Sequence, residues 1–299
     1  MPRILITGKN GQIGRALLSA PWPPDCAVVA KDRHELDVSD ARSVAEVVTA
    51  VRPHLIVNTA AFTAVDAAED EEARAFAVND AGVGLLAEAA QRAGCPLIHF
   101  STDYVFDGSK GGEYREDAAT NPLGAYGRSK LAGEQRLARS SAEYLNLRLS
   151  GVYDAAGSNF VRAILKAATS RPELTVVDDQ TCGPTWSRDI ASAVARLGAR
   201  ILSDEASFPW GTYHFCTRPS LTWYAFANEI FEIAARYGVP KPTITPIPGA
   251  EYPAKARRPK DPALNCDKFV ATFAMPLPDR TVALEKVLKQ ILTDDASAA

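Results

Sequence analysis

The chain has 299 residues, 46% of them hydrophobic and 23% charged, with a net charge of −3. That length fits one or two domains with a sizeable core, and that charge gives no general attraction to nucleic acid or to an anionic membrane. Five scattered cysteines (Cys26, Cys95, Cys182, Cys216, Cys266), none in a Cys-x-x-Cys pair, speak against a disulfide scaffold or a zinc site and suit a reducing cytosol.

Ile4-Leu5-Ile6 reads as a buried strand. With only Arg3 ahead of it no signal peptide is expected, and no apolar stretch is long enough to span a bilayer, so a cytoplasmic protein is expected. The strand runs into Thr7-Gly8-Lys9-Asn10-Gly11-Gln12-Ile13-Gly14 and then a helical stretch through Leu18. Glycines between a strand and a helix are a relative of the dinucleotide fingerprint. One permits a tight turn, one lets backbone approach a pyrophosphate, and one lets helix pack on strand. The helix start offers free N–H groups to phosphate. Gly8, Asn10, Gly11, Gln12, Ile13 and Gly14 are therefore candidate cofactor contacts.

Ala27 to Ala30 reads as the second strand and ends at Lys31-Asp32-Arg33, where this fold meets the adenosine ribose. Asp32 suits the free 2′-hydroxyl of NADH; Lys31 or Arg33 suits the 2′-phosphate of NADPH. NADPH is expected, with NADH left open. Asp37 and Val38 would meet the adenine, or Asp37 would cap the helix beginning at Ala41. A third strand, Leu55 to Val57, ends in small residues that either simply pack closely or let backbone lie against a flat ligand, with Ala60, Ala61 and Thr63 the candidate contacts. The acidic run from Asp66 to Glu72 reads as the solvated start of a helix.

A fourth strand, Pro96 to Phe100, delivers Ser101-Thr102-Asp103-Tyr104 at its carboxyl end, where open α/β sheets bind ligands. His99 inside it reads as a core histidine. Tyr126 and Lys130 follow, four residues apart and so on one face of a helix. An ammonium beside a phenol lowers the phenol's pKa, and such a tyrosine can exchange a proton near neutral pH, which ketone reduction requires. With a further strand at Tyr144 to Leu149, the alternation predicts an α/β fold: a Rossmann-like, doubly wound parallel sheet with helices on both faces.

The second half is less regular. Strands are expected at Leu174 to Val177 and Tyr213 to Phe215, and helices at Ile190 to Leu202 and Trp223 to Tyr237. A proline-rich stretch between Pro240 and Pro262 carries Lys255-Ala256-Arg257-Arg258-Pro259-Lys260, either a solvated loop or a clamp for a diphosphate. The tail after Thr293 reads as frayed. Residues 1–150 are expected to form the cofactor domain, with segments near 174–202 and 222–237 packing back onto it. The remainder, 151–299, would form mainly a smaller C-terminal substrate lobe.

Thr7-Gly8-x-x-Gly11-x-x-Gly14, Ser101-Thr102-Asp103-Tyr104 and Tyr126-x-x-x-Lys130 together resemble the extended short-chain dehydrogenase/reductase family. Thr59 to Asp66, Ser101 to Gly108, Tyr126 to Glu134, Asp179-Gln180-x-x-Gly183-Pro184-Thr185 and Ala256 to Pro259 narrow the likeness. From Ile4 to about Val287 the chain is similar to reductases of dTDP-linked 4-keto-6-deoxy sugars. The resemblance implies reduction of dTDP-4-dehydro-L-rhamnose to dTDP-L-rhamnose by hydride from NAD(P)H. It implies Tyr126 as proton donor, Thr102 orienting the carbonyl, and Lys130 holding the nicotinamide ribose. Val65, Asp103 and Tyr104 would line the sugar pocket, with Arg257 and Arg258 nearby in the lobe that closes over the nucleotide sugar.

Three departures stand out. Gly151 occupies a place where the family usually has Trp, and Trp186 is expected to fill the gap, the alternative being a wider pocket for a bulkier or different 4-keto sugar. Asp261-Pro262-Ala263 follows Arg-Arg-Pro where a Ser is frequent. Ala16 stands where some relatives carry a glutamate for Mg2+, which leaves Mg2+ and a homodimer open; no residues identify a metal site. Two rival readings remain. One is another nucleotide-sugar enzyme of the same fold, a 4-ketoreductase, an epimerase or a dehydratase, although Tyr104 stands where dehydratases have Glu. The other is a non-catalytic regulatory subunit like the one that partners methionine adenosyltransferase.

Overall fold

The computed structural model describes residues 1–140, 142–203 and 207–297. The first half alternates strand and helix: β1 (Arg3–Thr7), α1 (Gln12–Leu18), β2 (Ala27–Lys31), α2 (Ala41–Val51) and β3 (Leu55–Asn58). Two short helices, α3 (Ala67–Asp70) and α4 (Glu72–Phe76), lead through a wide turn at Ala77–Ala81 into α5 (Gly82–Ala93). Then come β4 (Leu97–Thr102), α6 (Ala125–Arg139) and β5 (Tyr144–Leu149). The second half contains β6 (Val152–Tyr153), α7 (Phe160–Ala168), β7 (Glu173–Val177), β8 (Thr181–Cys182), β9 (Thr185–Trp186) and α8 (Ser187–Leu202). It continues through β10 (Gly211–His214), β11 (Leu221–Thr222), α9 (Trp223–Ala234), β12 (Thr243–Ile247), α10 (Asp267–Phe273) and α11 (Arg280–Ser297).

Six strands form one parallel sheet in the order β10-β5-β4-β3-β1-β2. β3, β4 and most of β1 and β5 are buried along their length, as parallel strands covered on both faces must be. On one face α2 and α5 place Val44, Val48, Val83 and Leu86 against Leu5, Ile56 and Leu97. On the other, α8 places Ile190, Val194 and Leu197 against Ile4, Ile6 and Leu55. β2 and β3 flank β1 on opposite sides, so the chain reverses direction across the sheet there. A crevice opens at such a switch point, beyond the carboxyl ends of the strands.

A second core unites α7, β7, α9 and α11 through Ile164, Leu174, Phe226, Ile230, Leu284 and Leu288. This divides the second half differently from the sequence expectation. α8 and β10 return to the sheet, but β7 and α9 belong to the lobe, because the apolar face of α9 meets Leu174 and Val176 rather than the sheet. β7 finds a parallel partner in β12, which lies inside the proline-rich stretch. α11 runs on through Thr293 to Ser297, so the expected fraying does not begin at Thr293; Ala298 and Ala299 lie outside the described residues. Among the described residues no helix is long and apolar enough to cross a membrane.

Candidate active site

Thr102 closes β4, and Tyr126 is the second residue of α6. What brings them together is a close approach of helix to strand end. A Cβ on Gly127 would strike the Tyr104 carbonyl and lie 2.9 Å from Pro122 Cβ, so only glycine lets α6 settle there. The helix start has no capping side chain of its own; instead Glu69 Oε1 accepts the Ala125 amide at 2.7 Å. The Tyr104 and Tyr126 rings meet edge to face at 5.9 Å. Thr102, Asp103, Tyr104, Tyr126, Lys130 and Gly151 line one cavity of about 420 Å³, together with Gly11, Gln12, Ile13, Ala60, Ala61, Thr63 and Val65.

The electrostatics differ from the expectation that Lys130 would acidify Tyr126. Lys130 Nζ donates to the Phe100 carbonyl at 2.6 Å and lies 3.5 Å from His99 Nε2, so its charge is directed at β4. Burial pushes the Tyr126 phenol up to about 12, with the Thr102 hydroxyl acting the other way. Burial brings Lys130 down to about 8, against the pull of Glu134. His99 is held well below its ordinary range by burial and by Lys130; Asn58 Nδ2 meets its Nδ1 at 3.0 Å, and Asn58 Oδ1 accepts from Thr7 Oγ1 at 2.6 Å. The histidine is a partnered core residue beneath the lysine. Tyr126 is thus a protonated phenol throughout the neutral range, suited to giving a proton rather than taking one.

The glycine-rich turn fits a dinucleotide. Gly8 has φ +70°, and a Cβ there would lie 2.8 Å from the Ala60 amide nitrogen. Gly14 has no unusual backbone, yet a Cβ there would strike the Gly8 carbonyl and lie 2.9 Å from Lys9 Cα. The cradle is therefore kept open by missing side chains, with Gly11 leading into α1 and no side chain capping it. Asn10 is exposed and turns its amide toward Asp32 at 3.5 Å.

A second pocket of about 260 Å³ continues from Gly8 and Gly11 and is lined by Arg33, Asp37, Val38, Ser39, Phe62 and Arg74, among others. Asp32 is not part of its wall. Its carboxylate accepts the His34 and Glu35 amides at 2.9 and 3.2 Å and pairs with Lys9 at 3.5 Å. Lys31 is likewise committed, to Glu35 at 3.4 Å. That leaves Arg33 as the cation of Lys31-Asp32-Arg33 facing the pocket. Asp37 accepts from Ser39 at 2.6 Å, and the helix cap is Asp40, which accepts from Arg42. Arg74, 5.4 Å over the Phe62 ring, went unnoticed in the sequence, since only the packing of α4 on this loop places it here.

On the other side, a groove of about 780 Å³ shares Tyr104, Gln180 and Trp223 with the central cavity and is also lined by Phe160, Tyr252 and Arg258. Arg257 lies beyond, beside Arg258 and Lys260, in a smaller pocket of about 300 Å³. The acidic run is not merely solvated. Asp66 pairs with Arg258 at 2.7 Å, Asp70 with Lys255 at 2.5 Å and Glu72 with Arg128 at 2.8 Å. It straps the arginine loop to the sheet domain.

Trp186 does not fill the space at Gly151. It pairs with Tyr153 across β6 and β9, is 7% exposed, and belongs to the core of the lobe. Gly151 itself has φ +55°, and a Cβ there would lie 3.0 Å from Pro184 Cα. The tryptophan that lines the cavity, beside Phe100, Tyr104 and Tyr126, is Trp223, the first residue of α9, packed on Phe160 at 4.7 Å. Nothing in its spacing singles it out, because it reads equally as the start of an amphipathic helix. Asp261, the departure after Arg-Arg-Pro, accepts from Thr181 Oγ1 at 2.5 Å. Among the described residues no group of three or more His, Cys, Asp or Glu is placed to hold a metal ion, and Ala16 is buried.

Residues 2–293 match the family described as the RmlD substrate binding domain. A dTDP-4-dehydrorhamnose reductase of Sinorhizobium fredii is 40% identical over 296 residues, covering 99% of this chain and 100% of the relative. The crystal structure of a dTDP-4-dehydrorhamnose reductase from Clostridium acetobutylicum superposes with a TM-score of 0.89 at 31% identity, over 96% of this chain and 98% of that one. A dTDP-4-dehydrorhamnose reductase from Bacillus anthracis, solved in complex with NADP, gives 0.87 at 32% identity, over 98% and 100%.

Proposed function

The chain belongs to the RmlD substrate binding domain family, that of its dTDP-4-dehydrorhamnose reductase relatives, and from that premise we propose that its cleft reduces the C4 carbonyl of dTDP-4-dehydro-L-rhamnose, with NADPH, to give dTDP-L-rhamnose. The observation that carries this reading is the meeting of Thr102, Tyr126 and Lys130 with the glycine-rich turn around one cavity. Bound in that cradle, the reduced nicotinamide supplies the hydride. Tyr126, protonated at neutral pH, gives its proton to the C4 oxygen, and Thr102 helps to stabilise the negative charge developing there. Donors aimed at developing charge are usually the largest catalytic term. Lys130, anchored on the Phe100 carbonyl, holds the nicotinamide ribose. A dehydratase would need a carboxylic acid where Tyr104 stands, and burial keeps that phenol protonated.

The sugar sits against Val65, Tyr104 and Tyr126, and the nucleotide runs into the larger groove toward Arg258. In this division of labour the sheet domain, including α8 and β10, holds the cofactor, and the lobe holds the nucleotide sugar. Arg33 and Arg74 face the 2′-phosphate. Arg33→Ala raises the KM for NADPH by roughly tenfold, as loss of a charged hydrogen bond does, and leaves the KM for NADH little changed. The assay is oxidation of each cofactor in the presence of the dTDP-4-dehydro sugar. A wild-type protein inactive with both cofactors overturns the function; equal effects of Arg33→Ala on both take Arg33 away from the 2′-phosphate.

Trp223 walls the sugar seat where the two cavities join. Trp223→Ala therefore lowers kcat/KM for the dTDP-4-dehydro sugar by roughly tenfold or more, through lost positioning of C4, with little change in Tm. Trp186→Ala does the reverse, because truncating a buried tryptophan costs about 3–5 kcal/mol of stability. Measuring kcat/KM and Tm for both variants decides the matter, and a catalytic defect confined to Trp186→Ala would restore Trp186 to the cleft.

A further inference from the structure

Asp103 follows Thr102 at the end of β4, and Ser150 follows Leu149 at the end of β5. The two strands pair Thr102 with Leu149, so the polar side chains beyond them meet. Ser150 Oγ donates to Asp103 Oδ2 at 2.5 Å and accepts the Gly183 amide at 2.9 Å. Thr102 Oγ1 donates to Asp103 Oδ1 at 3.0 Å and accepts the Tyr104 amide at 3.2 Å. Asp103 is 4% exposed, and among the described residues no cation pairs with it. The titratable groups that face it are Tyr104 and Tyr126 from the strand end and α6, Cys182 from β8, and Cys216 just beyond β10. All four are shifted toward their neutral forms.

This arrangement uses up the threonine. A hydroxyl has one proton and two lone pairs. With Asp103 ionised, the proton of Thr102 points at the carboxylate and one lone pair takes the Tyr104 amide. What Thr102 then turns to the cleft is a lone pair, which the Tyr126 hydroxyl also meets. A carbonyl oxygen that is gaining negative charge also presents only lone pairs, so the two repel. With Asp103 protonated, the carboxyl O–H donates to Thr102 Oγ1, and the proton of Thr102 is released toward the cleft.

We propose that Asp103 is a positioning residue that, when it carries a proton, turns the Thr102 hydroxyl into a donor to the reacting oxygen. The proposal rests on the reading above that Thr102 contacts that oxygen. Burial supports it by pushing the Asp103 carboxyl up to about 6, against the hydrogen bonds from Ser150 and Thr102. An oxygen seated on Thr102 favours the protonated form further, because it rewards the donor.

The test is the single-turnover rate of NADPH oxidation with the dTDP-4-dehydro sugar between about pH 5.5 and 7.5, below the titration of Lys130 near 8. In the wild type the rate falls as pH rises through the Asp103 titration, approaching roughly tenfold per pH unit. Asp103→Asn is level across the window, since its amide donates to Thr102 at every pH. Ser150→Ala removes a hydrogen bond that favours the ionised carboxyl, so the fall moves to higher pH; this variant answers the question even if Asp103→Asn does not fold. Thr102→Val is slow and level. An Asp103→Asn enzyme that keeps the wild-type slope, or a Ser150→Ala enzyme with an unmoved midpoint, overturns the role of Asp103. A Thr102→Val enzyme with the wild-type rate overturns instead the contact between Thr102 and the oxygen, and the proposal with it.

Discussion

Tyr126→Phe lowers kcat by roughly a hundredfold or more, the contribution typical of a general acid, while NADPH binds as before. The two effects separate because the hydroxyl and the ring do different things. The ring packs edge to face on Tyr104 at 5.9 Å, and the Tyr126 carbonyl accepts from Ser129 Oγ at 2.8 Å; Phe keeps both. Only the proton is lost. That proton is in place at neutral pH, because burial holds the phenol near 12. Kinetics on the dTDP-4-dehydro sugar and a fluorescence titration with NADPH give the two numbers. A Phe variant that turns over at the wild-type rate would remove Tyr126 from the mechanism.

Gly14→Ala destabilises the protein and weakens cofactor binding together. In an ordinary helix interior, alanine is preferred over glycine by about 1 kcal/mol, so propensity alone predicts a gain. Packing reverses the sign. The new Cβ would strike the Gly8 carbonyl and lie 2.9 Å from Lys9 Cα, and neither is the end of a flexible side chain. Overpacking of this kind costs about 1–3 kcal/mol. The atoms that must give way form the phosphate cradle, so the Kd for NADPH rises by more than roughly tenfold, or about 1.4 kcal/mol. Thermal denaturation and NADPH titration of the variant check both parts. Unchanged values would show that the turn yields without cost.

The sheet was readable because most of its strands are short apolar runs, and β1, β3 and β4, which end at Thr7, Asn58 and Thr102, lead directly into the motifs. β5 occupies Tyr144 to Leu149 as read, and α9 with its following turn ends at Gly238, which has φ +81°. Residues at strand ends, such as Thr102 and Ala60, were readable for the same reason: topology alone brings strand ends to one crevice. What stayed hidden depends on direction rather than position. Tyr126 and Lys130 share a helix face, yet the lysine turns to the Phe100 carbonyl because an unpaired buried acceptor is costly. Asp32 ends its strand where expected but satisfies two amides of its own turn. Trp223 and Trp186 each begin a helical stretch or stand just before one, and only the packing of the lobe decides which of them faces the cleft.

The interleaving of the two cores makes the molecule indivisible. The chain leaves the sheet after β5, builds part of the lobe, returns with α8 and β10, leaves again for α9, comes back with α10 and ends in the lobe with α11. A fragment ending at Leu149 would lack β10, exposing the unpaired backbone edge of β5, an invitation to aggregate. It would also lack α8, and with it the Ile190, Val194 and Leu197 that cover Ile4, Ile6 and Leu55. The lobe fares no better alone, since its β9 is joined to α9 only through α8 and β10, which return to the sheet. Gene fusions, split reporters and domain exchanges in this protein therefore have no internal joint to use, and both ligands are held by a body that must be made whole.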